Sequence, residues 1–116
     1  MKPQHAGADY GYLTTTGRRS GRPHTVEIWF VVSGETIYLL SGSGGDSDWC
    51  RNLESEPAAT FRIARTEYPV TGRRVRSKAE QHTAREAVFA KYDPGYGGDL
   101  TGWRDTSAPY ALDPSG

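Results

Sequence analysis

The chain has 116 residues, a formal net charge of +0 from 14 basic and 14 acidic side chains, and 35% apolar residues; that is one domain with a small core, without the basic excess of a general nucleic-acid-binding surface. A single cysteine, Cys50, rules out an internal disulfide and fits a reducing compartment. The first residues, MKPQHAGADYGY, hold no apolar leader, and no run approaches the roughly 20 apolar residues of a membrane span, so a cytoplasmic protein is expected.

Residues 1–10 read as a loose polar arm, and residues 11–116 as the domain. The first strand is Tyr12 to Thr16. A glycine-bounded basic turn follows, Gly17-Arg18-Arg19-Ser20-Gly21-Arg22, then a second strand from Thr25 to Val32. Two extended runs around a short Gly-rich segment predict a hairpin. On the second strand Val26, Ile28, Phe30 and Val32 share an apolar face directed at the core. Thr25, Glu27, Trp29 and Val31 share a mixed face suited to a ligand cleft or a subunit contact. Ser33-Gly34-Glu35 turns into a third strand, Thr36 to Ser41, whose continuous apolar residues predict cover on both faces.

Gly42-Ser43-Gly44-Gly45-Asp46-Ser47-Asp48 opens a short helix over about Ser47 to Ser55, capped by Ser47 or Asp46 and stopped by Pro57. Trp49 and Leu53, four apart, share a face. Ala58 to Arg65 and Tyr68 to Arg76 are the fourth and fifth strands, joined by Thr66-Glu67. The arginines of the fifth suit a solvated or edge strand. Ser77, with Glu80 as capping-box partner, starts a helix that runs to about Tyr92 and ends at Asp93-Pro94-Gly95. A loop over Tyr96 to Thr106 precedes a last strand, Ser107 to Asp113. Hairpins dominate and no βαβ repeat occurs, which predicts a mainly antiparallel sheet closed or half-closed into a small barrel.

Hydrolytic chemistry finds little support. His5, His24 and His82 lack metal-ligand spacing. Cys50 has no histidine nearby and reads as a structural thiol. Neither a GxSxG sequence nor a P-loop lysine occurs. What stands out is the turn: three arginines and a serine crowded among glycines, more than a hairpin needs. Guanidinium forks beside glycine N–H groups match phosphate oxygens. Aromatic residues make up 11% of the chain, including three Trp and seven Tyr. A basic turn, a Gly/Ser loop before a helix and many aromatics together suit a phosphorylated heteroaromatic whose own ring does the chemistry. Three solvated loop charges are the plainer alternative.

The run TTTGRRSGRP, then SGSGG, then Trp49, Asn52 and Leu53 ahead of Pro57, resembles the deazaflavin-dependent nitroreductase family, within the flavin and deazaflavin oxidoreductases built on the split β-barrel. The resemblance spans about Leu13 to Pro114. It implies an α+β, mainly antiparallel split barrel with two to three helices. It implies coenzyme F420, a phosphorylated deazaflavin with a polyglutamate tail, from whose C5 a hydride passes to a small activated acceptor such as a quinone. Arg18, Arg19 and Ser20, helped by Arg22 and His24, would clamp the phosphate and tail. The ring would lie by Glu27, Ile28 and Trp29 and by Ser41, Gly42, Ser43 and Gly44. Trp49 and Asn52 would close the phosphate end, and Tyr92, Tyr96 and Trp103 would form the substrate side. No side chain need act as covalent catalyst. Relatives often dimerise through the sheet, which implies a homodimer. Ser43 stands where the family commonly has lysine, and Glu27 where it commonly has proline. FMN or FAD on the same fold, a non-catalytic flavin or tetrapyrrole carrier, and a structural module with an acidic partner are the competing readings.

Overall fold

The computed structural model describes residues 7–42 and 44–115. His5 and the first part of the predicted arm, and Ser43 of the glycine loop, lie outside the described residues. The elements are β1 (Gly11–Thr16), β2 (Pro23–Ile28), β3 (Val31–Ser33), β4 (Thr36–Ser41), α1 (Asp48–Ser55), β5 (Ala58–Ile63), β6 (Thr66–Arg74), α2 (Lys78–Tyr96), α3 (Thr101–Thr106) and β7 (Ala108–Pro114). The strands form one sheet in the order β2-β1-β5-β6-β7-β4-β3, and every pairing is antiparallel.

That order forces the sheet to curl. β2 and β3 occupy opposite edges, six strand spacings apart, about 29 Å if the sheet were flat. Only Trp29 and Phe30 separate them in sequence, a reach of about 11 Å. The edges must therefore approach one another, giving the expected α+β split barrel. The predicted single strand from Thr25 to Val32 is corrected here: it breaks at Trp29-Phe30, where the chain leaves one edge and joins the other. Its face assignment survives the break. Phe30 is fully buried, and Val26, Ile28 and Val32 pack against the same core.

The barrel interior holds Leu13, Phe30, Ile37, Leu39, Leu53, Phe61, Ile63, Val70, Tyr110 and Leu112. The alternate residues of β4 and β7 look outward but are covered by α2. Tyr38 and Ala111 meet Val75 and Ala84, while Leu40 meets Val88, Tyr92 and Leu100. Both faces of β4 are thus buried, as its apolar run requires. Cys50 sits inside the core, and burial pushes its thiol pKa up.

Several boundaries differ from the sequence reading. The β5–β6 hairpin turns at Ala64-Arg65, since Ile63 pairs with Thr66. Ala64 takes a φ of 56°, and its carbonyl accepts from Arg62 Nη1 at 2.7 Å. β6 is an interior strand rather than an edge. The charge of Arg73 is absorbed by Glu80 and Asp113, each at 2.7 Å. Ser77 caps α2 by accepting the Glu80 N–H, but the Glu80 carboxylate turns to Arg73 and Tyr38 instead of completing a capping box. α2 runs through Pro94 to Tyr96 and ends at Gly97 with φ 79°. Pro94 removes one backbone donor close to the helix end, and packing of Tyr92 and Tyr96 on Trp29 holds the last turn. α3 lies inside the predicted loop, started by Asp99, which accepts from the Thr101 N–H and hydroxyl. Among the described residues, no helix is long and apolar enough to cross a membrane.

Candidate functional site

The β1–β2 turn is closed by backbone bonds from Gly17 N to Arg22 O and from Gly21 N to Gly17 O, both 2.8 Å, with Gly21 at φ 72°. Ser20 Oγ accepts the Arg22 N–H at 3.2 Å. Gly17 is required by crowding: a Cβ there would lie 2.7 Å from His24 Nε2 and 2.8 Å from Ser20 Oγ. Sharp closure brings the turn back over the start of α1. Arg18, Arg19, Ser20, His24, Asp48 and Asn52, with Gly17, line one pocket of about 270 Å³.

Asn52 organises this pocket. It is 3% exposed, and both ends of its carboxamide are engaged. Oδ1 accepts from Arg18 N at 3.2 Å and from Arg18 Nη1 at 2.9 Å, and Nδ2 donates to buried Thr15 Oγ1 at 3.2 Å. Arg18 also donates from Nη2 to Asp48 Oδ1 at 3.2 Å. The turn is therefore pinned to the helix, and Arg18 is oriented in advance of any ligand. Asp48 and Asn52 are four apart on α1, so they share a face. That spacing was a usable signal for Asp48, which the sequence reading placed only in the loop that opens the helix.

The second feature is aromatic. Trp29, at the β2–β3 break, stacks on Tyr92 with centroids 4.2 Å apart and planes 2° apart. Tyr96 and Trp103 meet it edge-on at 6.0 and 5.6 Å. A second pocket of about 260 Å³ is lined by Asp9, Tyr10, Trp29, Lys91, Tyr92, Gly95 and Tyr96. Tyr92 Oη accepts from Phe30 N at 3.0 Å and lies 2.7 Å from Asp9 O and 2.9 Å from Phe30 O, so its hydroxyl ties down the break. Burial pushes its pKa up to about 12. Lys91 Nζ donates to Ala8 O at 2.7 Å and Phe30 O at 2.8 Å, and burial brings its pKa down to about 8. No sequence pattern pointed to Lys91, because its place depends on the break in β2–β3.

The remaining candidates are distributed between and around these features. Trp103 bridges the aromatic cluster to the glycine loop, its Nε1 3.3 Å from where a Cβ on Gly42 would sit. Ser41 is buried beneath that loop with Oγ 3.5 Å from Ser47 Oγ, and Gly44 is exposed at φ 69°. Ile28 packs on the barrel core and Trp49 meets Tyr110 edge-on at 5.2 Å. Glu27 accepts from Tyr12 Oη at 2.8 Å on the outer face. Neither Glu27 nor Arg22 lines either pocket.

The donor set of the first pocket, guanidinium, hydroxyl and imidazole on a glycine turn, fits a phosphorylated cofactor tail. Five residues past His24, about 16 Å along the extended chain and just beyond the end of β2, Trp29 offers an aromatic face that Trp103 links to the glycine loop.

Comparison with known proteins agrees with that chemistry. A family model described as F420H2-dependent quinone reductase matches residues 3–106. Among solved structures, an F420-H2 dependent reductase superposes with a TM-score of 0.73 at 18% identity, covering 90% of this chain and 94% of that one. A conserved hypothetical protein from Mycobacterium tuberculosis gives 0.76 at 18% identity, covering 94% and 74%. A chain solved as a domain-swapped dimer gives 0.73 at 18% identity, covering 90% and 80%. At these identities the structures speak for the fold, and the family model speaks for the activity and the coenzyme. The chain belongs to the F420H2-dependent quinone reductase family: it is an oxidoreductase whose cofactor is F420.

Proposed function

We propose that this enzyme reduces a planar quinone-class acceptor, with the cofactor's phosphate and anionic tail gripped at the β1–β2 turn and the acceptor received at the Trp29 cluster. The observation that carries the reading is the convergence of Arg18, Arg19, Ser20 and His24 on one pocket of about 270 Å³. F420H2 supplies the hydride from its deazaflavin C5. The protein's part is placement and charge. Arg18, held by Asn52, offers a fixed donor fork to an anion. Trp29, stacked on Tyr92, is a rigid aromatic platform for a flat acceptor, so that the reacting rings meet without a search. Tyr96, about half exposed and edge-on to Trp29, covers the open side of that platform. Nitroaromatics share the flat, electron-poor character of quinones and are further substrates under this reading.

We also place the enzyme in the cytoplasm as a homodimer. The mixed face of Thr25 and Glu27 on edge strand β2 supports a sheet-mediated contact, as does the domain-swapped dimer formed by one structural neighbour. Sedimentation showing only monomer at high concentration removes the dimer.

The test is titration of the protein with F420 and, separately, FMN, followed by ring fluorescence, alongside the double variant R18A/R19A. Two charge-assisted contacts of about 1.5 kcal/mol each predict a loss of F420 affinity of roughly 100-fold. Tight FMN binding without F420 binding, or an unchanged double variant, overturns the reading. Binding without turnover across quinones, nitroaromatics and enones assigns a carrier instead of a reductase.

A further inference from the structure

Asp48 is a misfit in a pocket built for an anion. Its carboxylate lies on the wall formed by Arg18, Arg19, Ser20 and His24, and it accepts from Arg18 Nη2 at 3.2 Å. The two anchors of Arg18 differ in kind. Asn52 is neutral, buried and held in turn by Thr15, so it fixes the guanidinium from behind. Asp48 holds it from the solvent side, its side chain 88% exposed against 24% for that of Arg18. Orientation of Arg18 is therefore already secured through Nη1 without Asp48, whose exposed carboxylate takes the other terminal nitrogen, Nη2.

We propose that Asp48 is an internal competitor for the anion pocket: its carboxylate occupies the ligand-facing edge of Arg18 until the cofactor's phosphate or tail carboxylate displaces it. The inference rests on the assignment of this pocket to the cofactor's anionic part. It gives Asp48 a role opposite to that of its neighbours, because it lowers affinity and speeds release. An exposed carboxylate is suited to the task, since its ion pair with Arg18 is weak and exchanges readily with water.

The experiment is fluorescence titration of D48N, D48S, R18A and the double variant R18A/D48N with F420 and with the deazaflavin that lacks the phosphate and tail. Loss of an exposed pair of this kind predicts F420 binding up to about fivefold tighter in D48N and D48S. Binding of the phosphate-free deazaflavin stays unchanged, and D48N has no effect once Arg18 is absent. Weaker or unchanged F420 binding in D48N and D48S, with R18A still impaired, overturns the competitor role and leaves the pocket assignment standing. R18A that binds F420 as the wild type does overturns the pocket assignment itself. Thermal unfolding of each variant separates these results from a loss of fold, because Asp48 also complements the α1 dipole from its first turn.

Discussion

Asn52→Ala tests whether the turn is prearranged by α1 or merely lies against it. The substitution removes three hydrogen bonds, two accepted from Arg18 and one donated to Thr15. One of the three involves a guanidinium and is of the stronger class, about 1.5–3 kcal/mol, while the two neutral ones contribute about 0.5–1.5 kcal/mol each. Part of this is recovered, because Arg18 can turn toward water. Thr15 cannot: it is 2% exposed, and its hydroxyl loses this donor. A net destabilisation of about 2–3 kcal/mol follows, which lowers Tm by roughly 8–12 °C for a domain of this size. The freed Arg18 must then be ordered on binding, at about 1 kcal/mol or more, so F420 affinity falls roughly five- to tenfold beyond any unfolding. Differential scanning calorimetry gives the first quantity and fluorescence titration well below Tm gives the second. A stability change under about 0.5 kcal/mol would show the Asn52 contacts to be idle, and a large stability change with unaltered affinity would show that Arg18 does not serve the ligand.

Three further outcomes are expected. Tyr92→Phe keeps the ring on Trp29 but deletes the hydroxyl that meets both backbone groups of Phe30, so chemical denaturation should register a loss of about 1.5–3 kcal/mol. The Arg73 guanidinium holds the Glu80 carboxyl down at about 2, below its ordinary 4.5, so the stability it lends is present above pH 4.5 and is lost as pH falls toward 2. Arg73 is 42% exposed, so about 1–2 kcal/mol is expected after screening, and Glu80→Gln should remove that part of the acid slope in urea titrations. Lys91 gives a slope of the same sign in a higher window, with burial as the cause: its pKa of about 8 lies below the free-chain 10.5, so the unfolded chain binds the extra proton between those values and stability rises with pH from about 8. Lys91→Met should flatten that rise, read between about pH 8 and 9, below the ordinary tyrosine value of 10.

How much of this was legible in sequence depended on the range of the interaction. The turn, the third strand and the α1 start are set by near neighbours, glycines, a continuous apolar run and a proline stop, and each lies within a residue or two of its expected place. The pocket at Arg18 was legible for the same reason, since the basic residues are consecutive and the helix that closes it carries its own start signals. What failed was read from local propensity alone where tertiary packing decides. Pro94 marks a helix end by the usual rule, yet α2 continues because Tyr96 has Trp29 to pack on. The arginines of β6 resemble edge protection, yet Arg73 forms ion pairs on an interior strand and Arg74 donates to the Gly44 carbonyl.

The break at Trp29-Phe30 is where a local reading had least to work with, and the second pocket hangs on it. A continuous alternating run from Thr25 to Val32 is the pattern of one strand, and no glycine or proline interrupts it. The interruption arises from closure: a seven-strand curl brings its two edges together only if the connecting run switches edges, and two residues must give up ladder pairing to do so. Their backbone groups then need other partners. Phe30 N and O find the Tyr92 hydroxyl, and Phe30 O also finds the Lys91 ammonium, both carried by a helix more than sixty residues later in the chain. The contacts that repair the break are the ones that bring Tyr92 against Trp29. In this protein the aromatic platform is a consequence of closing the barrel, which is why a substitution at Tyr92 should weaken fold and acceptor binding together, while one at Arg19, exposed on the turn, should touch only the cofactor's anion.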